Sequence, residues 1–531
     1  MKSVFYKVII VVGVLLLVVK SLEWWLERNF ETTINGNPER SYDITYSDFD
    51  LDTFFKGVTL NEVNIEPVHK TEGSIIVGQV DYATINGLMW IDLLFRKKLE
   101  LREISFKNPH FEVTLSADST KKSNGKGMQN LFGDILSRAN IERFSLVNGS
   151  VEIKEKTTGT IKGSLTNLNI EASDISSNSL QWKHIIPFEL GKLKISIDNV
   201  NLILNEYTNL SLGSFKYDLN KEEIILQDIS LGHSINWVEV SKRIGIQNDI
   251  IELKLNELAI HNLKPSSEFY TSLDIVAEKI RIDSLDIKLH RNKNLLRPSD
   301  LKQPMFNGII ESIPVALTLD SLQISNSSLS YIELGARKSE SGMITINEIN
   351  GLISKLTNVS KKQDEWQQMT ANLDSKIADA APVKIDLFVP YDSESFKLDV
   401  EVGSMNLNVL NSTLNPLAGV NIESGQMKRI HYTMQAGEFV TNNKLVFDYN
   451  NLHLDVIKKD KNHKVKKLAI KSLIADSAVR NDNIPGEKKY IIANYQYNRN
   501  IYRSPVNYIV KGLINGFTRI VPGRGIQRLI N

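Results

Sequence analysis

The sequence predicts a mainly β protein: an elongated antiparallel sheet tethered by an N-terminal transmembrane helix, with a few short amphipathic helices. Three observations predict it. From residue 42 onward the apolar residues recur with a period of two, as in Lys192-Leu193-Lys194-Ile195-Ser196-Ile197, the mark of strands with one face buried and one wet. One phrase recurs along the chain: apolar, two residues, apolar, one, apolar, one, then often Asn. The chain also opens on an unbroken apolar run from Val8 to Val19.

That run, extended from Val4 to Trp25, is long enough at 1.5 Å per residue to cross a hydrocarbon core of about 30 Å. Lys7 and Lys20 sit where their stems can snorkel, and Trp24 and Trp25 supply an interfacial aromatic pair. A cleaved signal peptide is the competing reading. It needs a small-residue cleavage site, where this chain has Lys20-Ser21-Leu22-Glu23-Trp24-Trp25. An uncleaved anchor over 1–30 is therefore expected. Lys2 and Lys7 precede the span while Glu23, Glu27 and Glu31 dilute the cations after it, so the N-terminus stays cytoplasmic and the body is exported.

The phrase is most regular in 101–113 (LREISFKNPHFEV), 141–153 (IERFSLVNGSVEI) and 319–331 (LDSLQISNSSLSY), which align without a gap and place Asn108, Asn148 and Asn326 together. The segment 255–262 matches the first half, with Asn262 in that place. Looser copies begin at Leu60, Ile197, Leu226 and Ile282. The expected structure is a strand, a tight turn at Asn108-Pro109, Asn148-Gly149 or Asn326-Ser327, and a return strand. Ile104 and Phe106 would share a face with Phe111 and Val113. Irregular spacing between copies argues against a solenoid of fixed period. A short amphipathic helix is expected near 126–139, where Met128, Leu131, Phe132 and Ile135 fall at helical spacing after the polar stretch 116–127.

One-sided strands must hide their apolar face. With few helices to cover them, the sheet packs on another sheet around a dry core, or curls on itself into a trough. A trough would be lined by Ile104, Phe106, Phe111, Phe144, Leu146, Val151, Leu322, Ile324 and Leu329 and could hold acyl chains. Alternation alone leaves both open.

The stretch 80–113, with its alternating strand, the apolar segment Leu88–Phe95, a basic break and a strand ending in Asn-Pro, resembles the N-terminal signature of the AsmA-like family. The anchor before it, the segment 128–153 and the pair 319–333 with 342–346 fit the same pattern. The resemblance implies an elongated antiparallel sheet curled into a taco-like groove, set in the inner (cytoplasmic) membrane by a single helix, with its body in the periplasm. AsmA-like proteins are similar to chorein-type bridge proteins, so phospholipid transport between envelope membranes, or outer-membrane homeostasis, would follow. The domains implied are the anchor (1–30), an N-terminal AsmA-like β domain (42–180), a continued β-groove (181–500) and a C-terminal helix (501–531).

At the far end, Ser504-Pro505 is a helix start. Val506, Ile509, Val510, Leu513, Ile514, Phe517 and Ile520 then form an apolar face, with Asn507, Lys511, Asn515, Thr518 and Arg519 opposite, until Pro522-Gly523. Either this helix plugs the end of the sheet, or it touches the outer membrane or a partner protein. In the second case Phe517, Lys511 and Arg519 join Trp24 and Trp25 as membrane-interface candidates.

Composition narrows the function. The chain of 531 residues carries 63 Lys and Arg against 62 Asp and Glu, a net charge of +1, which lacks the basic excess of a nucleic-acid binder. With no cysteine it has no disulfides, thiolate metal sites or thiol nucleophile. The nine His residues are scattered singly, without HExxH spacing, and Gly125-Lys126 is followed by Gly127, so no P-loop forms. No catalytic residue, metal or cofactor is expected. Three classes stay in play: a membrane-anchored phospholipid carrier, an envelope scaffold with a closed β-sandwich core, and, disfavoured for want of a site, an anchored enzyme.

Overall fold

The chain is described from a computed structural model. The described residues exclude 1, 37, 39, 41, 53–56, 69–74, 90–94, 96–98, 116–138, 176–190, 265–273, 299, 337, 460–464, 468–478 and 523–531. The helix expected near 126–139 lies outside them. The fold is mainly β and divides into two compact units. Unit 1 holds Met1–Leu204, Ser211–Leu226 and Pro265–Leu273, and unit 2 holds Asn205–Leu210, Gln227–Lys264 and Asp274–Asn531.

In unit 1, α1 (Lys2–Ile34) runs past the anticipated end at residue 30. Its last turns dock by Leu26, Phe30 and Ile34, spaced i, i+4 and i+8 on one face and all buried. The Phe30 ring lies 5.7 Å from that of Phe49. Asn35, just beyond the helix, exchanges hydrogen bonds with the backbone of Ile44 at 2.8 and 3.1 Å. Nearer the N-terminus, Val14, Leu16, Leu17, Val18, Trp24 and Trp25 are exposed. No helix among the described residues is long and apolar enough to cross a membrane; the side chains of residues 2–12 stand outside that set. The described residues therefore do not supply the expected transmembrane helix.

The strands of unit 1 are β1 (Tyr42–Thr45), β2 (Asp48–Leu51), β3 (Gly57–Pro67), β4 (Ile75–Asn86), β5 (Leu99–Leu115), β6 (Ala139–Glu155), β7 (Ile161–Ser173) and β8 (Lys192–Asn205). β9 (Thr208–Asp218) and β10 (Glu223–His233) contribute residues to both units. β1 and β2 both pair with β3, and β3 to β8 pair in chain order. All these pairs are antiparallel except β5–β6, which is parallel.

Unit 2 continues with β11 (Asp249–Leu263), β12 (Ile275–Asn292), β13 (Leu317–Leu334), β14 (Ser341–Thr357), β15 (Gln368–Ile377), β16 (Ala381–Pro390), β17 (Phe396–Val402), β18 (Met405–Asn406), β19 (Val420–Ala436), β20 (Val440–Lys459), β21 (Val465–Lys467) and β22 (Ala493–Asn498). Its helices are α2 (Trp237–Ile244), α3 (Phe306–Glu311), α4 (Ser360–Trp366), α5 (Asn411–Ala418) and α6 (Pro505–Ile520). Here too one pair, β12–β13, is parallel, and the chain crosses over between them through α3. The expectation of a purely antiparallel meander is corrected at these two places. The physical reason lies in the phrase itself. Its gapless copies sit side by side in register, Ile104 beside Phe144, Phe106 beside Leu146 and Phe111 beside Val151, and only a parallel pair aligns identical phrases in that way.

The phrase is not a hairpin. β5, β6 and β13 run straight through Asn108, Asn148 and Asn326, whose φ angles are +50°, +57° and +51°. A single left-handed residue inserts one extra position into a strand and flips the alternation after it. Residues at even numbers before Asn148 (Phe144, Leu146) and odd numbers after it (Gly149, Val151) are therefore all buried. Asn suits the position because its short side chain tolerates positive φ. The anticipated shared face for Ile104, Phe106 and Phe111 holds, produced by a bulge where a turn was expected.

The bulge also unites the tight and loose copies. In both, apolar residues stand two before and three after the left-handed one, and the residue directly after it turns to the same buried side. Phe106-Asn108-Pro109-Phe111 corresponds to Leu60-Glu62-Val63-Ile65 and to Ile197-Asn199-Val200-Leu202 in unit 1, and to Ile282-Ser284-Leu285-Ile287 in unit 2. Neighbouring bulges are joined on the polar side. In unit 1, Asn169 donates to the Asn167 carbonyl at 2.8 Å while accepting from the Asn148 backbone N–H at 3.0 Å. Unit 2 repeats the device: Asn350 donates to the Glu348 carbonyl at 2.8 Å and accepts from the Asn326 N–H at 3.0 Å.

Candidate functional site

With one face of nearly every strand apolar, the decisive property is whether that face is covered. In unit 1 it is. Ile104, Phe106, Phe111, Phe144, Leu146 and Val151 are all buried. Phe106 and Phe144 meet edge to face at 5.8 Å. A Cβ added at Gly149 would lie 2.7 Å from Leu146 Cδ2 and 3.2 Å from Pro109 Cγ, so these side chains pack without a gap.

Unit 2 has two regimes. From β15 to β22 the apolar side chains close into one core that includes Met305, Phe396, Met427, Tyr432, Tyr449 and Ile520, with α3 and α6 against it. Along β12, β13 and β14 the same kind of face is only half-covered. Leu322, Ile324 and Leu329 are each intermediate in exposure, as are Ile280, Ile282, Leu285, Ile287 and Leu289 on β12 and Ile344, Ile346 and Ile349 on β14, while Ile353, also intermediate, packs against the β15–β22 core. The register places them on one side: Ile280 beside Leu322, Ile282 beside Ile324, Ile287 beside Leu329, and Leu322 across from Ile353. These residues form a continuous apolar strip several strands wide, half-open to water. Soluble surfaces rarely leave such strips unfilled.

The strip ends in charge, which sequence reading missed. Beyond Leu289 and Leu329 the alternation continues into Arg291 and into Tyr331 and Glu333 on the same side. Arg291 grips Asp249 of β11 through Nε and Nη2 at 2.7 and 2.6 Å. Tyr331 Oη donates to Glu333 Oε2 at 2.6 Å, and Lys293 lies 2.7 Å from that carboxylate. Burial, followed by the Glu333 hydrogen bond, pushes the Tyr331 phenol well above its ordinary range. The period-two count past the bulge was the signal that could have found these groups.

On the other side of β12, His290 is buried under α2, its ring stacked at 5.0 Å on Trp237 and its Nε2 3.4 Å from Glu252. Burial lowers its pKa, opposed by Glu252 and assisted by Lys288 and His233. Because the folded value lies below the unfolded one, the unfolded chain takes up the proton first as pH falls through about 6.5. Stability contributed by neutral His290 is full above that pH and declines below it. The unfolding midpoint is expected to drop between pH 7.5 and 5.5, and His290→Gln to flatten that drop; thermal scans at the two pH values check this.

The C-terminal helix forms as expected, with Ser504 Oγ accepting from the Asn507 N–H. It docks by part of the expected face, with Ile509, Leu513, Phe517 and Ile520 on the core, joined by residues beside it. Tyr508, Gly512, Gly516 and Ile520 are buried, and Tyr495 Oη donates to the Gly512 carbonyl at 2.7 Å. Phe517 turns inward, its ring 5.0 Å from that of Phe447, and Arg519 stacks over Tyr495 at 5.2 Å. Lys511 stays exposed, and so does a stripe of Val506, Val510 and Ile514. The two glycines admit the tyrosine hydroxyls. A Cβ at Gly512 would lie 2.6 Å from Tyr432 Oη. Gly512→Ala is thus expected to destabilise the docked helix by about 1–3 kcal/mol, readable as faster amide exchange over α6.

Among the described residues, Asp399, Glu401 and His431 bring potential metal ligands within 4.8 Å of one another. His431 Nε2 is already 2.9 Å from Asp399 Oδ1, and all three lie toward the surface. Their separation between β17 and β19 hid the grouping from sequence. At the N-terminal end, Trp24 and Trp25 are both exposed, with the Arg28 guanidinium 5.8 Å over the Trp24 ring.

No protein-family model and no curated protein matches the chain.

Proposed function

We propose that this chain is an AsmA-like carrier of phospholipid, anchored in the inner membrane with its body in the periplasm, which holds acyl chains along the half-open strip of β12–β14. One observation carries the reading: a multi-strand apolar face that stays half-exposed while the neighbouring β15–β22 region closes into a core. At about 25 cal/mol per Å² of apolar surface removed from water, an acyl chain laid along that strip is stabilised by several kcal/mol without any catalytic group. The exposed apolar turns of α1, ending in Trp24 and Trp25, support the membrane anchor. The stripe of Val506, Val510 and Ile514 beside Lys511 supports a contact of α6 with the outer membrane or a partner protein. Transport between envelope membranes, or a role in outer-membrane homeostasis, is the corresponding cellular function, with no enzymatic step.

A second reading, an envelope scaffold with no lipid transfer, is favoured by the covered faces of β3–β6 and of β15–β22. Native mass spectrometry of the full-length chain released from mild detergent separates the two. Retained phospholipid is the result the carrier predicts, and a lipid-free chain that acquires none from added vesicles belongs to the scaffold.

A further inference from the structure

The polar end of the strip gathers more charge than its strands supply. After β12 the chain doubles back: Gln247 N–H donates to the Leu296 carbonyl at 2.8 Å, which holds the segment beside the start of β11. Gln303 N–H then donates to the Ile501 carbonyl at 2.8 Å, and Arg499 Nη2 reaches the carbonyls of Gln303 at 2.6 Å and Arg503 at 3.5 Å. These ties bring the turn before α6 against the segment that carries Arg297. Arg291 is matched by Asp249, Lys293 by Glu333, and Arg297 by Asp300 at 2.8 Å. Of Arg291, Lys293, Arg297 and Arg503, only Arg503 forms no ion pair among the described residues. Burial and then the positive charges of Arg297 and Arg291 lower its pKa, opposed by Asp300. Leu296 and Tyr502, next to Arg297 and Arg503 in the chain, are exposed apolar groups.

A surplus guanidinium at the end of an apolar strip is chemically matched to one negative charge joined to acyl chains. We infer that Arg503, with Arg297 and Arg291, binds the phosphodiester of an anionic phospholipid whose tails lie along β12 and β13. The inference rests on the carrier reading and names the headgroup chemistry of that site. Guanidinium suits it because its planar fork donates two hydrogen bonds to phosphate oxygens.

The test uses the full-length chain in detergent, offered phosphatidylglycerol and diacylglycerol of identical tails, with bound lipid counted by native mass spectrometry. The wild-type chain is expected to retain phosphatidylglycerol in preference to diacylglycerol. Arg503→Gln should reduce that preference roughly tenfold or more, since a charged hydrogen bond is lost, and Arg503→Lys should restore part of it. The Arg503 side chain makes no hydrogen bond within the described fold, so the unfolding midpoint should not move; Arg297→Gln gives an independent second variant. Both lipids bound with a preference unaltered in Arg503→Gln and Arg297→Gln would overturn the headgroup site and leave the carrier standing. Neither lipid bound would overturn the carrier reading and the site with it. Arg503-dependent binding of inorganic phosphate without phosphatidylglycerol would overturn the lipid as ligand and identify free phosphate as the occupant.

Discussion

Leu146→Asp is expected to unfold unit 1, with a cost on the order of 5 kcal/mol or more. Leu146 is fully buried on β6, over Gly149 and Pro109. Truncating such a leucine costs about 2–5 kcal/mol through lost burial and the cavity left behind. The carboxylate adds its own desolvation penalty, because its described neighbours Phe106, Gly149, Leu168 and Ile170 are apolar. That sum is comparable to the entire stability of a typical domain, about 5–15 kcal/mol. Chemical denaturation of the full-length chain, followed by limited proteolysis within residues 42–204, measures it. A shift under about 1 kcal/mol would mean the face is open to water and the core described here does not exist.

The same change at Ile324 is expected to behave differently, although the two positions occupy corresponding places in the phrase. Ile324 stands two residues before Asn326 as Leu146 stands two before Asn148, yet its face is half-covered. A carboxylate there can rotate into water, so unfolding should cost no more than about 1–2 kcal/mol. Lipid movement should suffer far more, because acyl chains would have to pass a desolvated charge. With the full-length chain reconstituted in donor vesicles, transfer of a fluorescent phospholipid should fall at least roughly tenfold in Ile324→Asp, a loss of about 1.4 kcal/mol in the passage step. An unchanged rate, or unfolding as severe as in Leu146→Asp, would contradict the open strip.

The contrast between these two residues also shows how far the sequence could be read. Period-two alternation established strands and their apolar side, because a strand's side chains alternate whatever lies above them. It did not distinguish covered from uncovered, because that depends on segments far away in the chain. Leu146 and Ile324 are indistinguishable as letters in a phrase. Asn108, Asn148 and Asn326 were legible as left-handed residues, since few side chains tolerate positive φ. Whether the chain reverses there or only bulges is decided by pairing with the next strand, which local sequence does not encode. The parallel pairs were hidden for the same reason, although the gapless alignment of 101–113 with 141–153 was their signature.

At the C-terminus, the helical period located α6, Ser504 its start and Ile509, Leu513, Phe517 and Ile520 its docked residues, but Val506, Val510 and Ile514 stay exposed. Gly512 and Gly516 are weak helix formers by propensity, yet in the fold their missing side chains make room for Tyr432 and Tyr495. A small-residue pair spaced by four was the available clue. The charged end of the strip was equally available by counting past the bulge from Leu285 through Ile287 and Leu289 to Arg291. Its meaning depends on Arg297 and Arg503, which only the folded chain brings alongside.

The central claim is that phospholipid lies on one side of β13 and not on the other. A photoreactive amino acid placed at Ile324, and separately at the adjacent Gln323 whose side chain points to the opposite face, tests it most directly in membranes containing the full-length chain. After irradiation, a phospholipid-mass adduct is expected at 324 and none above background at 323. Equal labelling at both positions, or none at either, would contradict it.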